Sequence, residues 1–279
     1  MITSSSNPRM KVIMQLNKKA KARYEQRVFV VEGIKMCLEV PRERIQEIYV
    51  SESFLASSRN QKCLESLSYE VVSDSVFRKI SDTKTPQGIL CLVQMIQYKL
   101  EDLLGAGMGY GSADALSVKT ASAGQQEAPH LLILENIQDP GNLGTMMRAG
   151  EGAGVTGVIM DRTTVDMFNP KTIRSTMGSL FRVPFYITDD LPGTIAVLKK
   201  RGIAVYAACL DGEKLYDEPD YTSPCGFMIG NEANGLTEET AALADVLIRI
   251  PMQGQVESLN AAVASALLMY EANRQRRNK

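Results

Sequence analysis

Short apolar runs separated by polar, helix-patterned stretches recur along most of this chain. In the first hundred or so residues, Val28 to Val31, Ile45 to Val50, Tyr69 to Val72 and Gly88 to Gln94 read as strands. Helices are predicted between them: a basic one from Met10 to Glu25, a short one from Gly33 to Leu38, a polar one around Gln61, and one starting at Asp74. This is the pattern of a small alternating α/β domain. Later in the chain the alternation is plainer, with strands predicted at Leu131 to Leu134, Gly157 to Met160, Val183 to Ile187, Ala204 to Ala208, Gly226 to Ile229 and Val246 to Ile250. Near-continuous apolar strands with crossover helices predict a parallel sheet covered on both faces. Between the two regions, Gly105, Gly107, Gly109, Gly111 and Gly124 stand among serines with little apolar period, the composition of a flexible linker. The expected organisation is therefore a domain over 1–98, a linker over 99–128 and a second domain over 129–279.

Composition narrows the function classes. The 279 residues are 44% hydrophobic and 23% charged, as in a globular protein. No apolar run is long enough to span a membrane and the amino terminus lacks a secretory core, so a cytoplasmic location is expected. The cysteines form no Cys-x-x-Cys pair and the single histidine, His130, has no ligand-spaced neighbour, so neither a disulfide framework nor a metal site is indicated. His130 itself is expected as a partly exposed strand-end residue. The net charge of −1 conceals an asymmetry: from Met1 to Arg44 there are 10 basic residues against 4 acidic ones, and Arg274, Arg276, Arg277 and Lys279 make a second basic segment. Such segments suit phosphate-backbone contact or solvated helix faces equally well.

Candidate chemistry gathers at three corners where an apolar strand runs into a loop and then a helix, the place where open α/β sheets bind ligands. In the first, Glu135-Asn-Ile-Gln-Asp-Pro-Gly-Asn-Leu-Gly-Thr-Met-Met-Arg148, Asn142 is expected to cap the helix. Gly141, Gly144 and Arg148 share one face of that helix, so the Arg148 guanidinium can lean back toward the loop and meet an anion; a plainly exposed arginine is the other reading. In the second, Ile229-Gly-Asn-Glu-Ala-Asn-Gly-Leu-Thr237, Gly230 and Gly235 permit close backbone approach and Thr237 can cap a helix. Glu232, the carboxylate inside that loop, either satisfies loop amides or serves a ligand or the chemistry. In the third, Ile248-Arg-Ile-Pro-Met-Gln-Gly-Gln-Val-Glu-Ser-Leu-Asn260, Ser258 is expected to cap a helix whose buried stripe is Leu259, Val263, Leu267 and Tyr270. The alanines Ala261, Ala262, Ala264 and Ala266 would let another element pack close. A formal G-x-G-x-x-G match, Gly152-Ala-Gly154-Val-Thr-Gly157, follows a helix and precedes a strand, the reverse of the dinucleotide-binding order, which disfavours a nicotinamide or flavin enzyme.

These corners, in this order, resemble the three motifs of the SpoU/TrmH family of RNA ribose 2'-O-methyltransferases, in the SPOUT superfamily. Asn136-Ile-Gln-Asp-Pro-Gly-Asn-Leu-Gly-Thr145 with Arg148 looks like the first motif, Ile229-Gly-Asn-Glu232 with Gly235-Leu236 like the second, and Ile250-Pro-Met252 with Ser258-Leu-Asn260 like the third. Arg174-Ser-Thr-Met-Gly-Ser-Leu-Phe-Arg-Val-Pro184 is similar to a further family segment, and Ile2 to Gly33 resembles the opening of the substrate-binding domain that many members carry. The resemblance implies an α/β fold whose parallel sheet ends in a carboxy-terminal trefoil knot, preceded by a small α/β substrate-binding domain. It implies S-adenosylmethionine held by the backbone around Gly230, Ile250, Met252 and Leu259, and a homodimer whose interface lies beside the site. It gives Arg148 the central role, with Asn142, Glu232, Ser258 and Asn260 orienting ribose and loops. Because a guanidinium stays protonated in proteins, Arg148 is expected to hold a phosphate and stabilise a developing alkoxide rather than to act as the base. Ala233 stands where the family frequently has glycine, so a positive φ there would strain the second loop. Ribosomal RNA is the preferred substrate over transfer RNA. The competing readings are a catalytically silent RNA-binding module and a nucleotide-binding enzyme that does not act on RNA.

Overall fold

The computed structural model describes residues 1–65, 67–104 and 128–279. Most of the expected linker lies outside the described residues. In chain order the regular elements are α1 (Pro8–Lys18), α2 (Ala20–Gln26), β1 (Val28–Glu32), α3 (Ile34–Glu39), β2 (Ile45–Ser51), α4 (Glu52–Leu55), α5 (Ser58–Cys63), β3 (Glu70–Val72), α6 (Asp74–Ile80) and β4 (Ile89–Gln94). They continue with β5 (His130–Leu134), α7 (Pro140–Ala153), β6 (Gly157–Asp161), α8 (Pro170–Thr176), β7 (Phe185–Thr188), α9 (Leu191–Lys200), β8 (Ala204–Ala208), β9 (Lys214–Leu215), β10 (Cys225–Ile229), α10 (Glu238–Ala241), β11 (Val246–Arg249) and α11 (Ala261–Arg277).

The contacts divide these into two units. One comprises Met1–Ile96 with Asp166–Phe181, so a stretch expected inside the second domain groups with the first. Its sheet has the order β1-β4-β2-β3, with β3 parallel to β2 and the other pairs antiparallel. The single basic helix expected from Met10 to Glu25 is two helices, because Lys19 adopts an extended conformation (φ −126°, ψ 114°) between them. Asn7 caps α1 through a 2.9 Å hydrogen bond from Arg9 N, and Pro8 at the first helical position has no N–H to leave unpaired. Met10, Ile13 and Leu16 bury one face of α1 against Val30, Tyr49 and Leu90. Within the same unit, Phe168 and Phe181 pack on Phe29 with ring centroids at 4.8 and 6.4 Å, and the buried Arg23 donates to Asp166 at 2.9 and 2.5 Å.

The second unit, Gln97–Val165 with Arg182–Lys279, carries a parallel sheet of 7 strands in the order β7-β6-β5-β10-β8-β11-β9. Leu131, Ile133, Ile159, Val205 and Met228 anchor its core against Leu191, Ile195 and Leu198 of α9. The hydrophobic pattern gives no sign of the two-residue edge strand β9. Leu100–Leu103, at the start of the expected linker, instead forms a 3-10 turn, and Leu103 is fully buried where Gly157 leaves room for it: a Cβ on Gly157 would collide with the Leu103 side chain. His130 departs from expectation in burial alone: it is a strand-end residue, the first of β5, but is only 1% exposed. Burial, reinforced by the nearby Arg276 charge, pushes its pKa down to about 3, so the ring is neutral at pH 7.

β5, β6 and β7 follow one another toward one edge of the sheet, whereas β8 lies on the other side of β5 with β10 inserted between them. The carboxyl ends of β5 and β10 therefore flank the point where strand order reverses.

Candidate active site

The first two corners meet at that switch point. Beyond β5, Asn136 takes a left-handed conformation (φ 55°), which asparagine tolerates better than most residues, and its N–H donates to Asp161 at 3.0 Å. The helix cap is Asp139, not Asn142: the Asp139 side chain accepts from Asn142 N at 2.9 Å, with Pro140 at the first helical position. The Asn142 side chain is thereby left for other work. Its Nδ2 donates to Glu232 at 3.0 Å, and its Oδ1 accepts from Asn260 Nδ2 at 3.0 Å. One residue from each corner is thus joined in a single hydrogen-bonded junction.

Glu232 also accepts from the backbone N–H groups of Gln138 and Asp139, at 2.9 and 3.0 Å. Partial burial raises its pKa, but the hydrogen bonds from Asn142, Gln138 and Asp139 outweigh that and hold the carboxyl below its ordinary range. The charged group is an anchored acceptor that ties the second loop to the start of α7.

A second carboxylate, outside the candidate residues of the motifs, does similar work nearby. Glu135 accepts from Thr237 N at 2.8 Å and Thr237 Oγ1 at 2.9 Å, and also from Thr240 Oγ1. Its signal in the sequence is a carboxylate directly after an apolar strand, paired with a loop rich in hydroxyls. Thr237 caps α10 as expected. Within the loop Gly230 is required by close approach, since a Cβ there would collide with the backbone of Gly235 and Leu236. Gly235 has φ +71°, but Ala233 is not among the residues with positive φ, so alanine there imposes no backbone strain.

The third corner differs more from expectation. Asn260 caps α11, accepting from Ala262 N and Val263 N at 2.9 and 3.3 Å, while Ser258 is exposed in the preceding loop. Ile250, Met252 and Leu259 are half-buried. The core-facing residues of α11 are Ala262, Ser265, Leu268, Met269 and Ala272, whereas Val263, Leu267 and Tyr270, expected to be buried, are exposed. Arg148 is exposed on α7 and forms no hydrogen bond or ion pair among the described residues. The structure therefore joins Asn142, Glu232 and Asn260 directly, and leaves Arg148 and Ser258 as unengaged groups on the same corners.

The carboxyl ends of β10, β8 and β11 are neighbours in the sheet, and these ends lead into Gly230, Cys209 and Ile250. Leu210, just beyond β8, is 63% exposed, and Val256, in the loop after β11, is 64% exposed. Exposed apolar side chains in the loops after neighbouring strands fit the mostly apolar lining of a small-molecule site. Among the described residues no group of His, Cys, Asp and Glu could hold a metal ion.

Comparison with known proteins bears directly on these corners. Residues 129–270 match the model of the SpoU rRNA Methylase family, a span that includes all three. The chain belongs to the SpoU rRNA methylase family. Residues 7–91 match a second model, the MRM3-like substrate binding domain. A relative from Bacillus subtilis (strain 168), the 23S rRNA (guanosine(2553)-2'-O)-methyltransferase RlmP, is 30% identical over 271 residues, covering 96% of this chain and 97% of that protein. A crystal structure of an RNA 2'-O ribose methyltransferase superposes with a TM-score of 0.78 at 29% identity, covering 99% of this chain and 98% of the other. The AdoMet-bound rRNA methyltransferase from Sinorhizobium meliloti gives 0.74 at 28% identity, over 98% and 97% of the two chains. As a SpoU methylase, this chain has the parallel-sheet α/β fold and the preceding substrate-binding domain that its motifs implied.

Proposed function

We propose that this SpoU-family chain transfers a methyl group from S-adenosylmethionine to a ribose 2'-hydroxyl of ribosomal RNA. The observation that carries the reading is the junction of Asn142, Glu232 and Asn260, which fixes three separate corners relative to one another at the switch point. Catalysis of this kind rests on positioning. The names of the relatives, which include a 23S rRNA 2'-O-methyltransferase of nearly the same length, favour ribosomal RNA over transfer RNA.

The cofactor supplies an electrophilic methyl group on sulfur. The backbone around Gly230, Ile250, Met252 and Leu259 would hold it. The chain's own part is to place the ribose and to stabilise negative charge on its 2'-oxygen. Asn142, bonded to both Glu232 and Asn260, and Asn260 itself orient the ribose and the loops, with Ser258 offering a hydroxyl on the same corner. Arg148 holds an adjacent phosphate and stabilises the developing alkoxide; its constant charge suits that task and not proton abstraction. The reading includes a carboxy-terminal trefoil knot, supported by the return of α11 from the β11 side of the sheet to pack on α7, β10 and β5. It also includes a homodimer and a cytoplasmic location alongside its ribosomal substrate. No helix among the described residues is long and apolar enough to cross a membrane.

Mapping ribose methylation across total RNA from cells with and without the protein is expected to reveal a lost site in ribosomal RNA. No lost site would count against the assignment, and a lost transfer-RNA site would redirect it. Arg148→Lys is expected to lower turnover by at least about 100-fold with cofactor affinity unchanged, the loss expected when an oxyanion-stabilising group is misplaced. Near-normal turnover would remove Arg148 from the chemistry.

A further inference from the structure

The two basic segments of the chain are put to different uses. At the carboxy terminus, Arg276 donates to the backbone carbonyls of Tyr221, Ala128, Pro129 and Ser223, and Arg274 pairs with Glu271 at 2.7 Å. Arg276 thereby ties the end of α11 to the segments around it, and Arg274 is engaged within the helix itself. At the amino terminus the balance is otherwise: Glu25 is the first acidic residue, and Arg9, Lys11, Lys18, Lys19, Lys21 and Arg23 all precede it.

Within the unit formed by Met1–Ile96 and Asp166–Phe181, the two arginines of this set are engaged. Arg9 donates to Glu47 at 2.7 Å, reaches Glu70 at 3.3 Å and lies over the Tyr49 ring at 5.2 Å; Arg23 is buried against Asp166. Lys21 stands 3.7 Å from Glu25. The ammonium groups of Lys11, Lys18 and Lys19 are different, being exposed and forming no hydrogen bond or ion pair among the described residues. Together with Met14 and Gln15 they border one open hollow of about 270 Å³.

The spacing gives this cluster a direction. Lys11, Gln15 and Lys18 follow one another at i, i+4 and i+7 along a single face of α1, so the outer two are about 10 Å apart along the axis at ~1.5 Å per residue. Lys19, in the extended link between α1 and α2, prolongs the row. A line of unpaired point charges on flexible stems, with no carboxylate among them, suits a polyanion of regular charge spacing. Lysine lacks the planar fork that reads a base edge, so such a row positions a backbone without reading sequence.

We propose that Lys11, Lys18 and Lys19, with Gln15 between them, form a track for the phosphate backbone of the substrate RNA. The inference rests on the RNA methyltransferase reading above and adds to it a docking surface separate from the site of methyl transfer.

The test is the salt dependence of binding by the full chain to a fluorescein-labelled 30-nucleotide RNA hairpin. Each phosphate contact contributes about 0.7 to 0.9 to the slope of log affinity against log salt. Lys11→Gln/Lys18→Gln/Lys19→Gln is expected to reduce that slope by about 2.1 to 2.7, so that raising salt fourfold weakens the wild type roughly 20- to 40-fold more than the variant. A charge-matched control, Lys62→Gln/Lys200→Gln/Lys214→Gln, is expected to keep the wild-type slope, as is Lys11→Arg/Lys18→Arg/Lys19→Arg. An unchanged slope in the glutamine variant, an equal reduction in the control, or no hairpin binding by the wild type would each overturn the track. Methyl transfer to ribosomal RNA by the wild type is measured in parallel. Transfer with an unaltered salt slope rejects the track alone, and a slope change without any transfer rejects the enzymatic reading alone.

Discussion

Glu232 accepts three N–H donors with one carboxylate, and that arrangement needs its negative charge. Because its pKa is held below the usual range, the ionised form persists through neutral and mildly acidic pH. The junction's contribution is lost only as pH falls through that depressed value. Hydrogen bonds to a charged group contribute about 1.5 to 3 kcal/mol. Glu232→Gln, which removes the charge and turns an NH2 toward backbone donors, is therefore expected to slow single-turnover methyl transfer by about 10- to 100-fold. Unchanged turnover would confine the residue to loop structure. A second ionisable residue acts on stability: His130 is neutral in the folded chain, with a pKa of about 3. The unfolded chain takes up a proton near pH 6.5 that the folded chain refuses, so stability falls as pH drops from there toward 3, at a limiting slope of about 1.4 kcal/mol per pH unit. His130→Leu is expected to lose less urea resistance than the wild type between pH 7.5 and pH 5; equal losses would clear His130 of this role. The motif residues were legible in the sequence, whereas their local duties were not. Asn142 and Ser258 are both competent caps by residue type, and placing each cap depended on where the helix begins. Pro140 is the signal that decides it, because proline at the first helical position makes Asp139 the cap.

At the scale of elements, hydrophobic pattern revealed the strands that are long and apolar and missed what is short or made of small residues. β9 has only 2 residues, one of them Lys214, and carries no period to detect. The break after α1 falls at a lysine, with neither glycine nor proline to announce it. On α11 the run Leu267-Leu-Met-Tyr270 fits either of two helical faces, and the true inner face is completed by Ala262, Ser265 and Ala272, whose size favours close packing on α7 but adds little to a hydrophobicity count. The turn Leu100–Leu103 was hidden by the glycines that follow it. Its place in the core is open to a double-mutant test, because Gly157 makes room for Leu103. Gly157→Ala is expected to destabilise the second unit by about 1 to 3 kcal/mol through overpacking. In a Leu103→Gly background, where the whole Leu103 side chain that the new Cβ would meet has gone, the same change is expected to cost less than half as much in urea unfolding. Full additivity of the two substitutions would mean that the turn does not dock there.

At the scale of the whole molecule, the outward face of α11 calls for a partner. Val263 is 49% exposed, Leu267 37% and Tyr270 48%, and they recur at i, i+4 and i+7, so they form one continuous apolar stripe and not scattered surface residues. The stripe begins one turn after Asn260, which is tied to Asn142, and so lies beside the proposed site of methyl transfer. A second copy of the chain, related by a twofold axis, could cover it with the same stripe. The wild type is therefore expected to run as a dimer in light scattering at about 10 µM, a concentration well above the dissociation constants usual for stable interfaces. Leu267→Glu/Tyr270→Glu is expected to run as a monomer, because two carboxylates would be buried without partners in such an interface. Its circular dichroism should match the wild type, as Leu267 and Tyr270 are already 37% and 48% exposed. If the interface also supports the loop from Ile250 to Leu259, cofactor affinity falls together with dimerisation and recovers as protein concentration rises. A wild type that is monomeric, or a variant that remains dimeric, would show that this stripe is not where two copies meet.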